Sequence, residues 1–295
     1  MTTAYITHPS CLLHEMGPGH PECPERLTAI SDRLIASGLD ALVVHHTATP
    51  ASDDMLARVH QRDYIEAITR ASPERGLVWL DPDTALNPHS VAAARHAAGA
   101  VAQAVDLVMA GECQNAFCSV RPPGHHAERG RAMGFCLFNS IAVGAAHALA
   151  AHGLTRVAIV DFDVHHGNGT EDIFSGDPRV LMVSTFQNPL YPNSGTDNPA
   201  PNMVNVPLPP GSGGRELREA VRERWMPALE AHRPEMILFS AGFDAHHEDP
   251  LANLSFTEAD FAWVTREMIG LVASCGHGRI VSSLEGGYAL GPLGR

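Results

Sequence analysis

The 295-residue chain has no surplus of basic residues: 20 Lys plus Arg stand against 33 Asp plus Glu, a formal charge of −13 at pH 7 with histidine neutral. Proteins that hold nucleic acid normally carry a basic stripe, so no nucleic-acid partner is expected. Its six cysteines (Cys11, Cys23, Cys113, Cys118, Cys136 and Cys275) include no CxxC pair. That scatter argues against a zinc knuckle or a disulfide framework and for a reducing compartment. No basic segment followed by an apolar run opens the sequence, so no signal peptide is expected. The most apolar stretch, residues 141–151, is interrupted by His147 and is too short to span a bilayer. Neither a repeat nor a low-complexity linker divides the chain. A soluble cytoplasmic protein with no membrane partner is the plain expectation.

What the chain does have is histidine: 18 residues, several in adjacent pairs, which directs attention to metal or proton chemistry. Hydrophobic residues make up 44%, enough for a sizeable core. Strands are predicted at Ala4–Thr7, Ala116–Val120, Val157–Val160, Val180–Ser184, Val204–Val206, Met236–Ser240 and Ile280–Ser283. Helices are predicted at Pro24–Ser37, Ser52–His60, Gln61–Thr69, Ser90–Ala110, Asn139–His152, Arg215–Ala231 and Thr257–Ala273, with Pro227 marking a kink or an early end. This alternation implies right-handed βαβ crossovers: a single three-layer α/β domain over 1–295, its mainly parallel sheet covered by helices on both faces. Segments 121–134, 165–169, 185–202, 241–254 and 284 onward leave the carboxyl ends of predicted strands, so they converge on one rim.

The rim segments carry the chemistry. After the β-branched run Val157–Val160, strand alternation points Asp161, Asp163 and His165 one way while Phe162 and Val164 pack. Two carboxylates and an imidazole suit Zn²⁺ or a similar borderline metal. Asp244, in Ala241-Gly242-Phe243-Asp244, ends another strand and is the natural third ligand, leaving coordination positions open as catalytic sites do. Read singly, the Asp161–Gly169 segment also fits an Asp-rich helix-capping turn with a partnered histidine beside it, and Asp244 a helix N-cap with His246 and His247 merely exposed. His125 and His126, held by Pro122-Pro123-Gly124, are placed as acid and base beside the metal. In Glu285-Gly286-Gly287-Tyr288, a Gly-Gly hinge lets the phenol of Tyr288 donate to an oxyanion.

Together, Pro122–Ala127, Asp161–Thr170, Ala241–Asp244 and Glu285–Tyr288 resemble the histone deacetylase superfamily in motif, order and approximate spacing. Residues 19–27, Gly-His-Pro-Glu-Cys-Pro-Glu-Arg-Leu, resemble its N-terminal motif in the class II and bacterial acetylpolyamine or deacetylase-like branch. The resemblance implies the arginase–deacetylase fold and one Zn²⁺ per chain, held by Asp163, His165 and Asp244. It also implies a structural K⁺ at Asp161, Asp163, His165, Ser184 and Thr185, and a second K⁺ near Phe174, Asp177, Val180 and Asn202. Gly134 and Phe135 would line a substrate tunnel with Tyr191 opposite.

The implied reaction is hydrolysis of the N-acetyl amide of a primary amine. His125 would pair with Asp161 and stay protonated; His126 would pair with Asn168, an Asp in class I members, and act as base. Leu251 stands where a polyamine-selective relative carries a gatekeeping glutamate, which favours acetyl-lysine over acetylpolyamine. Glu22, Glu25, Asp81 and Asp83 lie on loops within reach of the rim, which weakens that preference. Only seven residues follow Tyr288, where family members usually continue with a further helix, so a missing C-terminal helix and a looser Tyr288 are expected. The competing readings are a binuclear Mn²⁺ ureohydrolase, a silent acyl-lysine binding module, and a hydrolase of some other metabolite amide. Oligomeric state is not legible.

Overall fold

The computed structural model describes residues 2–295. Eight strands form one parallel sheet: β1 (Thr3–Thr7), β2 (Val43–Thr47), β5 (Asn115–Cys118), β6 (Val157–Asp161), β7 (Val180–Gln187), β8 (Met203–Leu208), β9 (Met236–Ala241) and β10 (Ile280–Leu284), in the order β2-β1-β5-β10-β9-β6-β7-β8. A small antiparallel hairpin, β3 (Val78–Trp79) and β4 (Ala85–Leu86), stands apart. The helices are α1 (Glu25–Ser37), α2 (Asp53–Leu56), α3 (Arg62–Ala71), α4 (Ser90–Met109), α5 (Ser140–Ala151), α6 (Asn168–Phe174), α7 (Gly214–Ala220), α8 (Met226–His232), α9 (Glu258–Ser274) and α10 (Leu290–Gly294). Helices cover both faces, and each face has its own apolar core. One core gathers α3, α4 and α5 around Val101, Ile141 and Leu238; the other gathers α7 to α9 around Trp225, Phe256 and Val264.

Every residue of β6, β7 and β9 is buried, as expected of strands covered on both faces. No helix is long and apolar enough to cross a membrane among the described residues, and all six cysteines are free thiols.

Several elements escape the sequence pattern. The edge strand β2 holds Val-Val-His-His-Thr with no buried residue, so nothing in its hydrophobicity announces a strand. Two-residue strands such as β3 and β4 are too short to carry a period. Within the helix expected at Arg215–Ala231, residues Val221–Trp225 widen into a π-turn, with Met226 N–H donating to Val221 O. Pro227 has no N–H and its ring crowds the carbonyl four residues back; the wider turn ahead of it absorbs that conflict. Residues after Tyr288 form α10, packed on α1.

A candidate metal and acid–base centre

Five strands that are neighbours in the sheet deliver the site: β5 leads into His125 and His126, β10 into Glu285–Tyr288, β9 into Asp244, β6 into Asp163 and His165, and β7 into Tyr191. Because the strands are parallel, all five connections emerge on one rim.

At its floor, donor atoms of Asp163, His165 and Asp244 lie within 4.8 Å of one another. His165 Nδ1 is 3.0 Å from Asp163 Oδ1 and 3.1 Å from Asp244 Oδ2. One ring nitrogen cannot serve both oxygens with a single proton, and Asp244 Oδ2 is buried without a donor. The outer lone pairs are already committed. Val164 N–H donates to Asp244 Oδ1 at 2.9 Å, Gly286 N–H to Asp163 Oδ2 at 2.8 Å, and His165 N–H to Asp163 Oδ1 at 2.9 Å. A Cβ at Gly286 or Gly242 would collide with these carboxylates, so only glycine lets the two loops close around them. Burial and the neighbouring Asp163 push Asp244 up to about 7. Burial opposes protonation of His165, but its bonds to both aspartates outweigh that and raise it to about 10. Two buried carboxylates this close resist ionising together, and a cation between them relieves that repulsion. The donor set therefore fits a divalent borderline metal.

Two further groups of three metal-ligating residues occur among the described residues. In Asp106, His147 and His152, the Arg58 guanidinium donates to His147 Nδ1 at 3.0 Å, so Nε2 keeps its proton for Asp106 Oδ1 at 2.7 Å and offers no lone pair. His246, His247 and Glu248 are successive residues of one turn, two of them exposed.

The paired histidines differ in their partners. His125 Nδ1 is 3.0 Å from Asp161 Oδ2, and its Nε2 is 3.7 Å from Asp163 Oδ1. Burial disfavours its charge, yet Asp163 and Asp161 overcome this and hold it well above the usual histidine range. His126 Nδ1 is 2.8 Å from Asn168 Oδ1, and the Asn168 amide donates in turn to Glu128 Oε1 at 2.8 Å. The Asn168 oxygen only accepts, so His126 carries its proton on Nδ1 and a free pair on Nε2. Burial, with His125 and His165 nearby, pushes its pKa well below the usual value.

Phe135 lies edge-on to Tyr288 (centroids 5.9 Å) and Tyr191 edge-on to His126 (5.3 Å), so two aromatic walls flank the centre. Gly134 packs so closely on the His126 ring that a Cβ would overlap it. Burial raises the Tyr288 phenol well above its ordinary value, which keeps it a donor at neutral pH. Leu251 is tied through its N–H to Asp249 Oδ1 at 3.1 Å, while Asp249 Oδ2 accepts from Tyr288 N–H at 2.7 Å and Ala289 N–H at 3.1 Å. Ser184 stands opposite Asp161 in the β6–β7 register and donates to Asn205 Oδ1 at 3.0 Å; the Thr185 hydroxyl is buried without a partner.

Glu22 does not reach the rim. Glu22 is fully buried, bound by Arg121 through Nε and Nη2, by Arg26 Nη1 at 3.0 Å, and 3.4 Å from His14 Nε2. Its inward turn pairs it with two buried guanidinium groups at once. Arg26 continues to the Glu285 carbonyl and to Gly287 O at 2.7 Å and lies 4.9 Å over the Tyr288 ring. Asp83 reaches Gly134, accepting from its N–H at 3.1 Å. Sequence reasoning missed Arg26, Asp249 and Glu285, whose Oε2 accepts from Gly124 and His125 N–H at 2.6 and 3.1 Å. The four-residue spacing of Glu22 and Arg26 was the one signal available.

Comparison with known proteins identifies the family. The histone deacetylase domain matches residues 20–295. A histone deacetylase-like amidohydrolase of Pseudomonas aeruginosa is 38% identical, across 97% of this chain and 82% of its own. Polyamine deacetylase HDAC10 of Homo sapiens is 36% identical, across 99% of this chain and 46% of its own. The crystal structure of the HDA15 HD domain superposes with a TM-score of 0.92 at 36% identity, covering 99% of this chain and 85% of that one. With matching motifs, matching fold and a domain match over nearly its whole length, the chain belongs to the histone deacetylase family.

Proposed function

We propose that the protein hydrolyses N-acetyl and related N-acyl amides of primary amines, acetyl-lysine substrates foremost, with one Zn²⁺ per chain at Asp163, His165 and Asp244. The observation that carries this reading is the orphaned Asp244 Oδ2 facing His165 Nδ1 beside a neutral His126. When bound, such an ion supplies Lewis-acid polarisation of an acyl oxygen and activation of water. His126 takes a proton at Nε2 and returns it to the departing amine. His125, kept cationic by Asp161, supplies positive charge beside it. Tyr288 donates its phenolic proton's hydrogen bond to the tetrahedral oxyanion. Gly134, Phe135 and Tyr191 pack the linear acyl-amine chain and exclude water, and Leu251 limits the selection of a second ammonium. A structural K⁺ at Asp161, Asp163, His165, Ser184 and Thr185 completes the reading, in a reducing cytoplasm where the cysteines remain thiols.

Acetylpolyamine hydrolysis is the second reading, favoured by similarity to a protein named polyamine deacetylase and by the Asp83 carboxylate bonded to Gly134. A panel of acetyl-lysine peptide, acetylputrescine, acetylspermidine and trifluoroacetyl-lysine under one condition ranks the two by kcat/KM. Released acetate or trifluoroacetate is the readout, because acetylputrescine and acetylspermidine already carry a free amine before hydrolysis. Turnover abolished by a chelator and restored by Zn²⁺ is the expected result; two Mn²⁺ per chain with no amide turnover would indicate a ureohydrolase instead.

A further inference from the structure

The site implied for a second K⁺ does not fit one. Between α6 and β7 the chain makes two successive turns, Asp177 N–H bonding Phe174 O at 2.9 Å and Val180 N–H bonding Asp177 O at 3.1 Å. These turns aim the carbonyls of Phe174, Asp177 and Val180 at one point, an arrangement that elsewhere suits an alkali cation. The Asn202 side-chain nitrogen already stands there, 2.8 Å from Phe174 O, 3.1 Å from Asp177 O and 2.9 Å from Val180 O. Its orientation is fixed from behind: Gly176 N–H donates to Asn202 Oδ1 at 3.0 Å, so the group facing the three acceptors is the amide NH₂. Two N–H bonds serve three oxygens, one of them shared, at ordinary hydrogen-bond lengths. No volume remains at the centre for an ion. The backbone carbonyl of Asn202 is held in the sheet, accepting from Met182 N–H at 2.9 Å.

We propose that Asn202 replaces the second alkali cation, so that this junction closes without K⁺. The consequence reaches the tunnel. Asn202 ends the 188–202 connection that carries Tyr191 and immediately precedes β8. An intramolecular amide thus anchors that connection to α6 and β7 at any K⁺ concentration. The inference is independent of which amide the protein hydrolyses.

The test uses crystals of the full chain soaked in Tl⁺, a heavy K⁺ mimic with a strong anomalous signal. Wild type should show no peak among the Phe174, Asp177 and Val180 carbonyls, and Asn202→Ala should gain one there. Thermal unfolding in KCl against choline chloride at equal ionic strength gives a second readout. The wild-type difference reports any other K⁺ site. Asn202→Ala and Asn202→Asp should lose on the order of 5 °C in choline and recover more of it in KCl than wild type gains. A Tl⁺ peak among the three carbonyls in wild type, with the amide swung aside, overturns the proposal. So do variants that lose no stability and bind no ion. If neither variant folds, the wild-type crystal alone decides.

Discussion

Asn168 presents His126 with a neutral oxygen at 2.8 Å, whereas His125 meets a carboxylate at 3.0 Å. This one-atom difference goes with opposite shifts: His125 is held above the usual histidine range and His126 below it. Replacing Asn168 by Asp should raise the His126 pKa, since an added negative charge favours imidazolium. His126 must be unprotonated to act as base, so the acidic limb of kcat/KM should move to higher pH in Asn168→Asp. An unmoved limb would show that His126 is not the group titrating. Tyr288→Phe keeps the ring against Phe135 and Arg26 but deletes the donor. Its kcat should fall on the order of 10²–10³-fold with metal content by mass spectrometry unchanged; loss of metal would mean the tyrosine is structural. These residues were legible because each follows a buried strand in a polar, glycine-punctuated segment. Arg26 and Asp249 were not, because they act through distant backbone groups that no local spacing encodes.

Among the elements, the N-terminal loop and α1 do what the rim reading did not foresee. Glu22 joins Arg121 at the end of β5 to Arg26 on α1, and Arg26 joins both to the β10 connection that carries Tyr288. A buried carboxylate between two guanidinium groups leaves uncompensated charge when it is removed, at a cost of about 3–5 kcal/mol. Glu22→Gln should therefore lower stability by that order at pH 7, measured by urea unfolding. Its carboxyl is held well below 4.5 by Arg121, despite full burial. The stabilisation is thus present above about pH 4.5 and is lost as pH falls through the depressed folded value. The gap between wild type and Glu22→Gln should narrow below pH 4.5; a constant gap would show that the charge is not what matters. The broken helix at Val221–Trp225 is the complementary case. Its proline was visible in the sequence, but whether the chain would end, kink or widen depended on burying Leu217, Trp225 and Leu229 against the sheet.

For the molecule as a whole, acid should unfold it in stages. His60 is buried as a neutral ring, with Nδ1 2.9 Å from Glu128 O and Nε2 accepting from Asn139 N–H at 2.9 Å. Burial lowers its pKa from 6.5 to about 4. The unfolded chain takes up that proton first, so this residue's contribution to stability should fall by about 3 kcal/mol as pH drops from about 6.5 toward 4. Asp244, raised to about 7, acts in the opposite direction over this window, so the check compares urea midpoints of wild type and His60→Gln at pH 7 and pH 5: wild type should lose more stability between them, and an equal change in both would contradict a neutral His60. The Glu22 contribution follows only at lower pH.

The sequence by itself determined the alternation of strands and helices, the single rim and the residues that meet there, because strand burial and glycine-bounded polar segments are local patterns. It determined the family through the same motifs. Only the tertiary structure decided that Glu22 turns inward, that an unremarkable edge segment completes the sheet, and that the Asn202 amide stands among three carbonyls. Those outcomes depend on which charges and backbone groups become neighbours after the chain has closed, and that is a property of packing rather than of spacing.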